Sequence, residues 1–384
     1  MMIKFFIYLI VNTTSSFRLS FFIKIFVFCN VLLLFTLILL PFQRLGSFNK
    51  WLYLPPLMKK NLERYSRQLL LSQIGVSGQK KLAQSCAAVI GLGALGSHTA
   101  DLLARAGIGT LVLVDRDIVE LQNLQRQCLY TEKDIGKAKS ACAEQHLRSV
   151  NHGIKIVSHA VDLDFKNVNH VLAGVDLIVD GTDNLATRFL LNEYSLNHHI
   201  PWIYGAVVAD HGNVLLVHSH FCFRCLFSET QPLGTCDTIG VLNSAVSVVA
   251  GLQVTLALQY LVSGKAIDKL LRFSASNCAI SSYLVHRKKN CSCCVQHFYP
   301  YLSGRTGEKA IKLCGRGVFQ LKGKHVDLQR LKRSLYKILK RSEKIIDWGY
   351  ALKFRELMIF HDGRVLVHAA DEKKARSLYY KYMG

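Results

Sequence analysis

A short apolar run, Cys86–Ile90, flows directly into Gly91-Leu-Gly-Ala-Leu-Gly96 and then into a helical pattern, His98 to Ala106. Few local sequences restrict a fold so tightly. Glycines at the first, third and sixth places let a strand turn into a helix within a few residues, and the helix N-terminus then offers free N–H groups to an anion. Gly107 to Gly109 close that helix. A second strand, Leu111 to Val114, stops on Asp115, where a carboxylate can meet a ribose hydroxyl. Further strands are predicted at Lys155–His159, Leu177–Val179, Trp202–Tyr204 and Asn213–Val217, with helical patterns between them. Such alternation predicts an α/β fold, a doubly wound, Rossmann-like, mostly parallel sheet. The long apolar run from Val241 to Val262 reads as a buried helix.

The two ends read differently from the middle. Ile25 to Phe42 is apolar apart from Asn30, Thr36 and Pro41, and joined to Phe21–Ile23 it is long enough to span a bilayer over about 21–42. Arg44, Lys50, Lys59 and Lys60 crowd its C-terminal flank and would keep the rest of the chain cytoplasmic. The other reading is a mis-annotated start: Met58 opens a plain amphipathic helix, Lys59 to Leu71, and a catalytic domain needs nothing before it. The expected division is a hydrophobic segment 1–57, a catalytic domain 58–305 and a small α+β domain 310–384. In the last, a strand (Val318–Leu321) leads to a helix, Asp327 to Lys340, with Leu328, Leu331, Leu335, Ile338 and Leu339 on one side. Strands Leu357–Phe360 and Val365–Val367 flank a hairpin turn at His361-Asp-Gly-Arg364, and a final helix starts near Asp371. It carries no catalytic constellation.

The chain has 12 cysteines in 384 residues, and a chain of that length does not need disulfide staples. Cys222-x-x-Cys225 and Cys291-x-x-Cys294 form two pairs that suit tetrahedral Zn²⁺ in a closed structural site, with Cys293 as an alternative ligand. Cys236 stands apart, in Gly234-Thr-Cys-Asp-Thr-Ile-Gly240; Cys86, Cys128, Cys142, Cys278 and Cys314 read as core residues. His198-His199 and His218-x-His220 read as surface or loop residues. The formal charge of +22 points to a basic surface or an acidic partner, and with no aromatic-interleaved basic motif no nucleic acid is expected.

Alone, the glycine turn and Asp115 would suggest a nicotinamide or flavin enzyme. Other residues lead away from redox chemistry: Asp115-Arg-Asp117, Asn123-Leu-Gln-Arg126, Lys139, Asp180-Gly-Thr-Asp183-Asn184, and upstream Arg64-Tyr-Ser-Arg67-Gln. Together they resemble the ThiF/MoeB/HesA family, relatives of ubiquitin-activating enzymes, over essentially all of residues 58–295. The C-terminal part, with Leu313-Cys-Gly-Arg316 and Phe360-His-Asp-Gly-Arg364, looks like the extension of ThiF-type thiamin-pathway members.

The resemblance implies ATP-dependent adenylation of the C-terminal Gly-Gly carboxylate of a ubiquitin-like sulfur carrier, ThiS-like or alternatively MoaD-like, by a homodimer, with sulfur from a separate donor. It implies a nucleotide site of Gly91, Gly93, Ala94, Gly96, Asp117 and Asn184, with Asp115 on the ribose and Asn123 by the phosphates. Arg126 and Lys139 become phosphate cations, Asp183 the Mg²⁺ ligand, and Arg67 reaches in from the partner subunit. It favours Cys294 over Cys293 as fourth zinc ligand. Cys236 matches a thiol that in some members joins the carrier or passes sulfur; an inert buried cysteine is the alternative. The family often has glycine where Ala94 stands, and one methyl there is tolerable if the backbone amide still faces phosphate. The chemistry agrees with the residue types. A carboxylate is already a nucleophile at neutral pH, so adenylation needs a positioned, charge-neutralised triphosphate and no general base. An NAD(P)-dependent oxidoreductase would leave Asn123 to Arg126 without a role, and a non-catalytic scaffold would not need Arg126, Lys139 and Asp183. No G-x-x-x-x-G-K-[ST] loop occurs, which excludes a P-loop NTPase.

Overall fold

The computed structural model describes residues 62–228, 240–306, 311–312, 318–323, 325–339 and 344–383. The candidate membrane segment, Cys236, Cys314 and Leu313–Arg316 lie outside those residues. Residues 62–76, taken by themselves, depart from the expected helix. Two 3-10 turns, Glu63–Tyr65 and Gln68–Leu70, occupy the described part of the stretch read as Lys59 to Leu71. Leu69 is the one buried side chain in them, so no apolar stripe of helical length exists to hold a longer helix. Among the described residues the first helix after these turns is α1, Gly75–Gln84.

From Ser77 onward the chain belongs to one compact unit that contains two sheets. Strand β1 (Cys86–Ile90) is buried after its first residue and feeds α2 (Ala94–Ala106). That helix starts four residues earlier than the apolar pattern suggests, because Gly93 takes a non-helical conformation as its N-cap. Gly107 ends it in the left-handed region at φ +82°, where a side chain would be strained. Then come β2 (Thr110–Val114), α3 (Lys139–Val150), β3 (Lys155–His159), α4 (Val168–Val171), β4 (Leu177–Asp180), α5 (Leu185–His198), β5 (Trp202–Val208), β6 (His211–Val217), α6 (Asn243–Ser263), β7 (Lys269–Ser274) and β8 (Ala279–Leu284).

The first sheet has eight strands in the order β3-β2-β1-β4-β5-β6-β7-β8. Five are parallel, as expected of a doubly wound fold. The last three form an antiparallel meander. The strand expected at Asn213–Val217 is therefore present but reversed: Val208 pairs with His211 across a two-residue turn at Ala209-Asp210. β7 and β8 were not expected from sequence, and β8 is exposed along its whole length, so it carries no apolar alternation. Among the described residues α6 is the one helix long and apolar enough to cross a membrane. It packs on α2, β5 and β6 through Val246, Val249, Ala250, Gln253 and Ala257, the place of a core helix. It begins at Asn243 because Val241 bridges Ala209 instead.

The second sheet has six antiparallel strands, ordered β11-β12-β13-β14-β10-β9: β9 (Ile311–Lys312), β10 (Val318–Lys322), β11 (Ile345–Asp347), β12 (Ala351–Phe354), β13 (Leu357–Phe360) and β14 (Arg364–His368). Two helices, α7 (Leu328–Tyr336) and α8 (Glu372–Met383), accompany it. Asp327 caps α7 by accepting from Gln329 and Arg330 N–H at 3.0 Å each. The helix stops short of the expected Lys340, and Ile338 is half exposed. Leu328, Leu335 and Ala375 from the helices share one core with Phe319, Leu352, Ile359 and Val365 of the sheet.

In the first sheet the strand order reverses between β1 and β4, since the chain runs outward from β1 to β3 and then returns. Open α/β sheets bind ligands at the carboxyl ends of the strands flanking such a point.

Candidate active site

Three close backbone approaches shape the crevice between β1 and β4. Gly91, at φ +82°, follows β1, and a Cβ there would lie 2.8 Å from the Gly181 carbonyl. A Cβ on Gly96 would lie 1.7 Å from the Gly91 oxygen, and one on Gly181 2.5 Å from it. Gly91, Gly96 and Gly181 thus knit β1, α2 and the end of β4 together. Gly93 differs, because the nearest atom to a Cβ there is Gln127 Nε2 at 3.9 Å. It faces open space at the start of α2, where a ligand can approach the backbone.

The acidic loop after β2 is pinned to this turn. Asp115 is buried; its Oδ2 accepts the Leu92 N–H at 2.6 Å and its Oδ1 the Asp117 N–H at 2.6 Å. Burial pushes its carboxyl above the usual range. Tyr130 Oη donates to the Leu92 carbonyl at 2.9 Å from beneath. Lys139 is buried at the first turn of α3, its Nζ 3.5 Å from Asp117 Oδ2. Burial alone would pull the Lys139 ammonium down, but Asp117, Asp115 and Asp183 together raise it. Asp117 is likewise crowded, yet Lys139 and Arg116 hold it below the usual carboxylate range. Lys139 is thus a buried lysine whose ammonium is supported by the carboxylates around it.

On the β4 side, Asp180 and Arg188 form a buried ion pair at 2.9 Å. Asp180 Oδ1 also accepts the Thr182 N–H at 2.8 Å, and the Arg188 guanidinium donates to the Thr182 and Gly205 carbonyls. This frame holds the loop that leaves Asp183 exposed at the crevice. Asn184 caps α5 by accepting the Thr187 N–H at 2.8 Å, so its amide oxygen has a structural task. Asn123 does likewise: it is buried, and its Oδ1 accepts the Glu120 N–H at 3.2 Å. Arg126 extends along the rim, with Nη1 donating to the Gln122 carbonyl at 2.9 Å.

These loops enclose one cavity of about 270 Å³. Gly91, Gly93, Ala94, Asp115, Asp117, Asn123, Arg126, Lys139, Asp183 and Asn184 all face it, whereas Gly96 is buried behind the turn. Arg67 is exposed and lies in the 62–76 stretch described by itself. The sequence reading missed Arg116, Gln127 and Arg188, which also line the cavity. Gln127 is buried and its Oε1 has no partner among the described residues, as expected of an amide poised for a ligand. Its place one residue after Arg126 was the available signal.

The four predicted metal thiols also meet. Cys222, Cys225, Cys291 and Cys294 are buried with their sulfurs all within 4.8 Å of one another. Cys222 to Cys291 and Cys225 to Cys294 measure 3.6 Å each, so the two pairs face each other across the site. Cys293 lies outside that set of four although its thiol also meets Cys222; its sulfur accepts from Asn192 Nδ2 at 3.2 Å, and Asn192 Oδ1 takes the Phe223 N–H at 2.7 Å. That buried amide fixes the knuckle between the first two thiols. A closed set of four sulfurs fits a thiol-preferring metal ion. Cys142 is buried as expected, but Cys128 and Cys278 are exposed, Cys278 because it sits in the β7–β8 turn. His218, His220 and Asp268 are a second grouping, which the sequence reading set aside as surface residues. Hydrogen bonds of 2.7 and 3.1 Å from the two imidazoles to the Asp268 carboxylate account for it.

The family model for the ThiF family matches residues 65–295, more than half of the chain and both of its chemical sites. This chain belongs to the ThiF family. A sulfur carrier protein ThiS adenylyltransferase of Bacillus subtilis (strain 168) is 37% identical over 338 residues, 84% of this chain and 99% of that one. An adenylyltransferase and sulfurtransferase MOCS3 of Aedes aegypti is 36% identical over 246 residues, 62% of this chain and 56% of that one. Among solved structures, Escherichia coli MccB with ATP has a TM-score of 0.56 at 23% identity, over 65% of this chain and 76% of the other. That likeness shows the Rossmann-like ThiF fold.

Proposed function

We propose that this ThiF-family chain is an adenylyltransferase that activates the C-terminal carboxylate of a ubiquitin-like sulfur carrier of the ThiS type. The observation that carries the reading is the convergence of Arg126, Lys139 and Asp183 on one crevice beside the open turn at Gly93. Residues 58–305 form the catalytic domain and 310–384 the small C-terminal domain. In the reaction a carboxylate oxygen of the carrier attacks the α-phosphorus of ATP. The bond to the bridging oxygen breaks, pyrophosphate leaves, and a carrier–AMP mixed anhydride remains. Lys139 and Arg126 take up the charge that shifts onto the departing phosphates. Asp115 lies where the ribose is expected, and Asn123 and Asn184 shape the phosphate loops. Asp183 is the carboxylate suited to hold Mg²⁺, which would neutralise part of the triphosphate charge. Zn²⁺ is the ion that best suits the four cysteines.

The ThiS-type carrier is preferred because the Bacillus subtilis relative matches a share of this chain that cannot be reached without entering residues 306–384. The MOCS3 relative matches only about the length of the core. A homodimer with Arg67 of the partner subunit in each site, a separate sulfur donor, and a cytoplasmic catalytic domain complete the reading. Carrier-dependent exchange of pyrophosphate into ATP tests it, with ThiS-like and MoaD-like carriers side by side. Exchange with the MoaD-like protein alone would overturn the carrier assignment, and exchange with neither would overturn the activity. Cys236 is proposed as the thiol whose sulfur attacks the carbonyl of the carrier–AMP anhydride, displacing AMP and leaving a carrier thioester. Cys236→Ala should keep exchange and lose any reductant-sensitive adduct on non-reducing gels.

A further inference from the structure

The second sheet has both faces covered. Along β13 and β14 every residue from Leu357 to Phe360 and from Arg364 to Val367 is buried. Antiparallel sheets usually leave one face to water. Here the helices cover one face, that of Leu357, Ile359, Val365 and Val367. The alternating residues Val318, Met358, Phe360 and Leu366 pack instead with Ile118, which follows directly on the acidic loop of the crevice.

Three side chains of this sheet and its turns, Arg364, Gln320 and Tyr350, make four hydrogen bonds to the crevice loops. Arg364 is wholly buried, with its guanidinium 3.8 Å above the Phe360 ring. Its Nη1 donates to the Arg116 carbonyl, and its Nη2 to the Ala160 carbonyl at 3.0 Å. Arg116 is the residue between Asp115 and Asp117. Gln320 Nε2 donates to Asp162 Oδ2 at 3.0 Å, and Asp162 Oδ1 lies 3.2 Å from Arg116 Nη1. Tyr350 Oη accepts the Ala138 N–H at 2.8 Å, one residue before Lys139. The acidic loop and the phosphate lysine are therefore each held from behind by a different strand or turn of the second sheet. Lys139 is further coupled to the loop through its own N–H, which donates to the Asp117 carbonyl at 2.9 Å.

We propose that the C-terminal sheet is part of the nucleotide site's machinery, and that Arg364 is a positioning residue that sets the Asp115–Asp117 loop for ATP. A burial as complete as that of Arg364 is costly unless its donors are used. Two of them are used on backbone carbonyls of the crevice loops rather than within its own sheet. Its remaining Nε–H lies 3.6 Å from Asp362 Oδ2. The inference rests on the nucleotide reading of the crevice but not on the identity of the carrier.

The test compares the full chain with Arg364→Met, Arg364→Lys and Tyr350→Phe, using ATP binding measured by calorimetry and ATP–pyrophosphate exchange. A loop displaced by a fraction of an ångström should raise the Kd and KM for ATP by roughly tenfold in Arg364→Met. The KM for the carrier and the metal content should stay unchanged. Arg364→Lys should recover part of the loss, and Tyr350→Phe should show a weaker form of the same ATP-specific defect. If Arg364→Met does not fold, Tyr350→Phe and Gln320→Leu carry the test, since each removes one contact. Folded variants that bind ATP like the wild type would overturn the proposal. So would equal losses in ATP and carrier parameters, which mark general destabilisation. Wild-type protein that binds ATP but exchanges no pyrophosphate would remove the proposed activity and leave this inference standing.

Discussion

Lys139 and the Cys222 thiol are both buried, but for opposite ends. Around Lys139 the groups are acidic and basic side chains: Asp117, Asp115 and Asp183 raise the pKa of its ammonium, Arg126 lies at the rim, and Asp183 is left in solvent. In the proposed reading a polyanion and its counter-ion would complete this arrangement of charge. Around Cys222 the four sulfurs close on one another inside the aromatic core of Phe189, Trp202, Tyr204 and Phe223. Such a closed set suits an ion that would enter once, as the chain folds. The crevice is organised for turnover and the cluster for permanence. Substitutions should accordingly separate activity from stability.

The largest separation is expected at the crevice. Arg126→Ala or Asp183→Ala should lower carrier-dependent exchange a hundredfold or more, about 3 kcal/mol of transition-state stabilisation, with the melting temperature little changed. Near wild-type exchange in both would break the comparison on its catalytic side. At the cluster the reverse should hold. Cys294→Ser should lose the metal and several kcal/mol of stability, because binding free energy there is folding free energy. Cys293→Ser should keep one ion per chain, since that sulfur lies outside the set of four and accepts from Asn192. Elemental analysis of the two variants decides it, and equal metal loss would show that Cys293 is a ligand.

The glycine turn divides along the same line within six residues. Gly96→Ala forces a methyl against the Gly91 oxygen and should destabilise the fold by about 2 kcal/mol or more, read by denaturant unfolding. Gly93→Ala meets nothing closer than 3.9 Å, so it should fold normally and weaken ATP binding. A Gly93 variant that binds ATP normally would place the nucleotide elsewhere. The smallest effect is expected beside the cluster. Glu193 is fully buried, accepts the Leu302 N–H at 2.9 Å, and is pushed by burial from 4.5 to about 7. Between those values the folded carboxyl keeps a proton that the unfolded one has released, so its contribution to stability is full below pH 4.5 and is lost as pH rises through about 7. Glu193→Gln should flatten this part of the pH profile by about 1–2 kcal/mol between pH 5 and 8. An unchanged profile would show that Glu193 ionises freely in the fold.

The crevice was legible in sequence to the degree that its residues sit next to glycine turns and strand ends. Gly91 and Asp115 directly follow parallel strands, where spacing alone fixes position. Lys139, which opens α3, and Arg126 and Asp183, which lie on loops, could be placed only through the resemblance. The meander from β6 to β8 was not legible, because the exposed strand β8 has no buried face to impress a pattern on the sequence. Arg188 and Asn192 were hidden for the opposite reason. Each is a polar residue in an apolar helix, and its partners, Asp180 and Thr182 for one and Phe223 and Cys293 for the other, are fixed only by the fold. The C-terminal helix was overextended at Ile338, where an apolar residue in helical register is left exposed.

The contact of Gly91 with Gly96 and Gly181 also bears on how such chains change over time. A replacement at Gly96 would be eliminated as a folding failure before its effect on ATP could matter. A descendant that gave up nucleotide chemistry would keep the glycine pattern, because the packing of β1, α2 and the end of β4 demands it. Arg126, half-buried at the rim, and Asp183, exposed there, have no comparable close backbone contact and would drift first. The motif most easily noticed in such a sequence is therefore the poorer witness to activity, and the two rim residues the better one.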